Sequence, residues 1–110
     1  MTESQIREIT EQYYFNVFKR LPIVLERGEG TRVWDMDGNE YIDFLAGIAV
    51  NSLGHCPPSV VRAIQEQTGQ LMHTSNIYYS RQQAELLEKM ATMFGLEKIF
   101  LCNSGAEAVE

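Results

Sequence analysis

The sequence predicts an α/β fold: one helix and an antiparallel meander, then two helices leading to a strand, a tight turn and a further helix. Three observations carry this. Asp37-Gly38 stands between two strand-like runs, a two-residue hairpin signal in which both central positions favour positive φ. Apolar residues recur every three to four positions over 59–72 and again over 80–94, the period of amphipathic helices. Finally Ile99, Phe100, Leu101 and Cys102 form an unbroken apolar run, the pattern of a strand buried on both faces as in a parallel sheet.

Taken in order, Thr2 and Gln5 make a capping box, and Ile6, Ile9 and Tyr13 follow at helical spacing, so residues 3–14 are predicted helical. Tyr13, Tyr14, Phe15 and Phe18 are a heavy aromatic load for one terminal helix, and either a partner or the rest of this chain has to cover them. Residues 23–27, 31–36 and 39–44 are predicted strands, with turns at Gly28-Glu29-Gly30 and at Asp37-Gly38. No third glycine and no helix follow Gly28-Glu29-Gly30, which excludes a dinucleotide fingerprint. Trp34 is assigned to packing on the sheet face.

Residues 45–53 are small and apolar, with Gly47 permitting close backbone approach, and Gly54-His55-Cys56-Pro57-Pro58 then interrupts the chain. The domain boundary is placed here, giving segments 1–55 and 56–110. His55 has no second ligand-type residue at metal spacing and is assigned to the turn. Val60, Val61, Ile64, Thr68, Leu71 and Met72 give a helix face over about 59–72. Residues 73–79 have no period. Ser80 and Gln83 make a second capping box, and Ala84, Leu87, Met90, Ala91 and Phe94 a second face, closed by Gly95. Arg81, Glu85 and Lys89 lie on the solvated side of that helix.

The C-terminal stretch is the chemically suggestive one. After the 99–102 run, Ser104 is a helix N-cap and Glu107 completes its capping box. The first N–H groups of such a helix have no intrahelical acceptor, and Gly105 leaves room for a bulky anion in front of them. Taken alone, a capped helix after a core strand accounts for these residues better. A P-loop is excluded, since no Gly-Lys-Ser/Thr occurs.

The bulk properties narrow the function classes. The length suits one ordinary domain, and 45% hydrophobic content is enough for a core. A net charge of −6 argues against nucleic acid or an anionic membrane as the main partner. Cys56 and Cys102 lack metal-ligand spacing, and the sequence has no signal peptide or long apolar span, so a cytoplasmic setting is expected. A Cys56–Cys102 disulfide is arithmetically open, but Cys102 reads better as a small hydrophobe inside its strand.

NSGAEA at 103–108, together with GEGTRVWDMDGNEYIDFLAGIAVNSLGHCPP at 28–58, resembles the N-terminal part of the class III pyridoxal-phosphate aminotransferases, most of all those acting on acetylornithine. The likeness runs from about Leu21 to Glu110, with Pro57 standing where relatives often carry His. It implies the N-terminal part of a fold type I PLP-dependent transferase: residues 1–55 on the small-domain side, and 56–110 opening the large, mostly parallel-sheet domain that binds the coenzyme. Ser104, Gly105 and Ala106 would hold the phosphate of pyridoxal 5'-phosphate, the backbone amides of Gly105 and Ala106 foremost. No catalytic residue is assigned, because the Schiff-base lysine, its acidic partner and the substrate-carboxylate arginine of such enzymes lie further along the chain than Glu110. The sequence is thus expected to be a fragment, inactive by itself.

The resemblance further implies transfer of an amino group from acetylornithine to 2-oxoglutarate in arginine biosynthesis, by a homodimer with no metal. Succinylornithine, ornithine and 4-aminobutyrate are the competing donors. Ornithine-specific relatives carry tyrosines where this chain has Phe18 and Ile48. The exposed aromatics and residues 73–79 are expected at the subunit interface. The alternative is a short non-catalytic domain that binds a phosphate-bearing ligand or a partner chain.

Overall fold

A computed structural model describes all residues 1–110. The chain forms two compact units, Met1–Gly69 and Gln70–Glu110.

In the first unit, helix α1 (Glu3–Tyr13) starts at the predicted capping box: Thr2 Oγ1 accepts from Gln5 N, and Thr2 N donates to the Gln5 side chain. Strands β1 (Leu25–Glu29), β2 (Arg32–Asp35) and β3 (Glu40–Ile42) form the expected antiparallel meander in the order β1-β2-β3. Both turns differ in detail from the prediction. Gly28 and Glu29 belong to β1, so the first turn is Gly30-Thr31. At the second, Asp35 pairs with Asn39 around a three-residue loop, and only Gly38 has positive φ (84°). The predicted two-residue turn with two positive φ values is thereby corrected to a longer loop closed by a left-handed glycine.

The cause of that longer loop is Asp35. Its carboxylate accepts from Asp37 N (3.0 Å), Asn39 N (2.8 Å), Asn39 Nδ2 (2.9 Å) and the Tyr41 hydroxyl (2.7 Å). These bonds wrap the loop around one side chain and hold the carboxyl below its ordinary pKa, the Asn39 side chain contributing most. Asp35 and the neighbouring Val33, 7% and 6% exposed, are the only buried residues in the chain. Trp34 lies under the Arg27 guanidinium, 3.5 Å from carbon to ring centroid, a cation–π contact across β1 and β2. The composition therefore does not produce an extended core here: apart from Val33, the meander leaves apolar groups such as Leu25 and Ile42 exposed, because only side-chain layers packed on a sheet can bury them.

Residues 45–53 hold a feature the sequence did not announce. In the single turn α2 (Ala46–Ala49), Ala46, Gly47, Ile48 and Ala49 all have positive φ, at 48°, 63°, 58° and 65°. Left-handed backbone costs an L-residue about 1–2 kcal/mol. Three non-glycine residues carry that cost here. The turn leads through Gly54 to an antiparallel bridge in which Gly30 and His55 exchange both backbone hydrogen bonds, at 3.0 and 2.7 Å.

Helix α3 (Pro58–Thr68) begins at the double proline, as expected, and stops at Gly69, short of the predicted 72, so Leu71 and Met72 fall outside its apolar face.

In the second unit, residues 73–79 are irregular, and helix α4 (Arg81–Phe94) runs from the Ser80 cap, whose hydroxyl accepts from Gln83 N, to Gly95 in the left-handed region. Residues 99–102 correct the prediction of a buried strand. They form no strand and no other regular element, Phe100 is 82% exposed, and Cys102 is an exposed free thiol. A strand exists only through a neighbour's hydrogen bonds, and this unit has no other strand. Cys56 is also a free, exposed thiol, so the two cysteines form no disulfide.

Candidate coenzyme-phosphate turn

The turn that closes the second unit brings Ser104, Gly105 and Ala106 together at the head of helix α5 (Gly105–Val109). Ser104 is extended and caps the helix, its hydroxyl accepting from Glu107 N (3.3 Å) and donating to the Glu107 carboxylate (2.7 Å). The same carboxylate accepts from Asn103 N at 3.1 Å. The Glu107 carboxylate takes Asn103 N rather than Ser104 N, so the predicted capping box is only half formed; this cap consumes the Ser104 side chain and the Glu107 N–H, and leaves the N–H groups of Gly105 and Ala106 without a protein acceptor. Those two donors are what a helix start offers an anion.

Gly105 contributes space rather than an unusual conformation. A Cβ built there meets nothing within 4 Å, and its φ is not in the left-handed region. Neither packing within this chain nor backbone strain requires glycine at 105. A bulky oxyanion set against the two N–H groups would require it, so the residues present fit a phosphate group.

Other glycines serve the fold. At Gly28 a Cβ would lie 2.7 Å from His55 Cγ, and at Gly54, where φ is +81°, it would lie 2.9 Å from the Gly30 carbonyl oxygen. His55 is held in this turn as expected, and its partner is one that spacing did not reveal. Nε2 lies 2.7 Å from Asp43 Oδ2, while Asp43 Oδ1 accepts from Leu45 N and Ala46 N, both at 2.9 Å. The hydrogen bond from His55, followed by that from Ala46, lowers the Asp43 pKa. Asn51 Nδ2 stands 3.5 Å from His55 Nδ1.

Phe18 lines a cavity of about 810 Å³ between α1 and residues 16–25, together with Ile6, Thr10 and Leu21. Ile48 projects from the left-handed turn and is 91% exposed. No helix is long and apolar enough to cross a membrane.

The family model for aminotransferase class-III matches residues 14–110. Acetylornithine aminotransferase from Methanopyrus kandleri is 53% identical over 106 residues, covering 94% of this chain and 27% of that protein. Among solved structures, acetylornithine aminotransferase from Elizabethkingia anophelis superposes with a TM-score of 0.93 at 37% identity, over 99% of this chain and 28% of that one. Ornithine aminotransferase from Toxoplasma gondii ME49 gives 0.91 at 38% identity, over 99% and 26%. The chain thus spans little more than a quarter of the length of the relatives it matches, and its fold is the N-terminal part of theirs. A family match over residues 14–110, with this level of identity, shows that the chain belongs to the class III aminotransferases, which are pyridoxal-phosphate-dependent enzymes.

Proposed function

We propose that these residues belong to a transaminase that moves the amino group of N-acetylornithine to 2-oxoglutarate, serving arginine biosynthesis as a cytoplasmic homodimer. The observation that carries the reading is the pair of unpaired N–H groups at Gly105 and Ala106 beside the open space at Gly105. Relatives named acetylornithine aminotransferases, 46–54% identical, support the choice of donor. Bound pyridoxal phosphate supplies an electron sink for the carbon bearing the amine.

In this reading Gly105 and Ala106 donate to the phosphate, and Ser104 and Glu107 fix the turn that aims those donors. Residues 1–55 lie on the small-domain side, and 56–110 open the large domain. The exposed Tyr13, Phe15, Ile77 and Tyr79 are covered in the assembled dimer. Phe18 and Ile48 face the donor, and the absence of hydroxyls there disfavours free ornithine, whose extra charged amine would be left without a partner.

The test is to express the gene's product and assay δ-amino transfer from acetylornithine to 2-oxoglutarate, alongside residues 1–110 alone. We expect turnover by a protein of the relatives' length, acetylornithine preferred to ornithine in kcat/KM, and none from residues 1–110. A gene that stops at codon 110 and yields a phosphate-binding protein without turnover would favour the non-catalytic domain. Equal kcat/KM values, or a preference for ornithine, would refute the donor assignment.

A further inference from the structure

Asp43 and His55 are twelve residues apart and bracket the left-handed turn, and the contacts of both run into that turn. One Asp43 oxygen takes the N–H groups of Leu45 and Ala46, which lead into the first positive-φ residue, while the other takes His55 Nε2. The Nε2–H tautomer satisfies both sides of the ring, donating to Asp43 and accepting from Asn51 at Nδ1. His55 is in turn fixed by its two backbone bonds to Gly30 and by its ring lying against Gly28, which has no side chain to obstruct it.

The turn needs such an anchor. Ala46, Ile48 and Ala49 sit in backbone that disfavours them, and Ile48 gains no burial in return. Strained, exposed backbone of this kind persists where surrounding structure over-determines it, and it concentrates at ligand-contacting positions. We propose that the Asp43–His55 pair is a positioning clasp that holds the left-handed turn so that Ile48 meets the amino donor, making Asp43 and His55 specificity-determining at one remove. This rests on the transaminase reading above. Neither residue touches substrate: the clasp acts through the backbone of 45–49.

The test uses the gene's full product as wild type, His55→Phe and His55→Gln. Phenylalanine keeps a ring against Gly28 and loses the donor, whereas glutamine carries an amide N–H able to replace Nε2–H. Hydrogen exchange of peptides covering 44–51 and the kcat/KM ratio of acetylornithine to ornithine are measured on each. His55→Phe should speed exchange in 44–51 about tenfold and reduce the donor ratio by about fivefold, with His55→Gln within about twofold of wild type on both. Unchanged exchange in His55→Phe, faster exchange with an unmoved ratio, or His55→Gln as damaging as His55→Phe would each overturn the proposal. If the wild type turns over neither donor, the functional reading fails and the specificity role falls with it. Exchange in 44–51 then still reports separately whether the clasp holds the turn.

Discussion

The meander with its clasp, residues 24–55, and the apolar run, turn and helix at 99–109 rely on different sources of order. In the first, polar side chains satisfy backbone groups locally. Asp35 accepts four hydrogen bonds within six residues of itself, and Asp43 accepts two N–H groups and pairs with His55. In the second, Ser104 and Glu107 cap the helix through their side chains, yet Phe100 and Val109 lie open and no residue in 70–110 is buried. Polar networks of short sequence separation form from the segment that encodes them, whereas an apolar strand needs neighbours to pair with and faces to cover it. The N–H groups left over at Gly105 and Ala106 are thus a donor pair on a turn without a protein acceptor.

The contrast is broken most strongly at Gly54. Alanine there would combine positive φ with a Cβ 2.9 Å from the Gly30 carbonyl oxygen. Gly54→Ala should cost about 2 kcal/mol or more, read as a lower urea midpoint, and should accelerate amide exchange at Gly30 and His55.

Asp35→Asn comes next. It keeps the shape but replaces one acceptor oxygen with a donor facing Asn39 Nδ2 or the Tyr41 hydroxyl, so the β2–β3 hairpin should lose exchange protection. The pH dependence has a definite sign. Hydrogen bonding depresses the pKa values of Asp35 and Asp43 below 3.8, so the stability they contribute is complete above that value and is lost as pH falls through the depressed values. Acid titrations of wild type, Asp35→Asn and Asp43→Asn should show a shallower acid loss in each variant, and an unchanged acid slope would contradict the assignment.

Tyr41→Phe removes one of the four donors and should have a smaller effect, present in full below pH 10 and vanishing at high pH. The bond to Asp35 raises the tyrosine pKa above 10.0, so its contribution is full below that value and disappears as pH rises through the elevated one. Gly105→Ala marks the other end of the scale. With open space at the Cβ position, stability should change by less than about 0.5 kcal/mol.

Much of this was legible in the residues. Thr2 with Gln5, Ser80 with Gln83, and Ser104 with Glu107 each place a cap that the structure contains, because capping depends on side chains three residues apart. The hairpin at Asp37-Gly38 was legible as a turn but not as to type, since the deciding contacts come from Asp35 before it and Asn39 and Tyr41 after it. Nothing local marks the left-handed turn: Ala46, Ile48 and Ala49 are residues that ordinarily avoid positive φ. The Asp43–His55 pair escaped because its partners meet only after the chain has turned through 44–54. The apolar run at 99–102 carried the pattern of a strand, but pattern alone does not supply the neighbour that makes one.

The role of the 104–106 turn is tested most directly by Gly105→Val in the gene's full product, with dissociation constants measured for pyridoxal phosphate and for pyridoxal, and circular dichroism as the folding control. A branched side chain would add bulk beside the Gly105 and Ala106 N–H groups, at a position where a Cβ meets nothing within 4 Å in this chain. Losing even one charge-assisted hydrogen bond should weaken binding of the phosphorylated coenzyme by about tenfold or more. Pyridoxal, lacking the phosphate, should bind the variant and the wild type alike. Parallel losses for both ligands in a folded variant would contradict the phosphate-binding role of this turn.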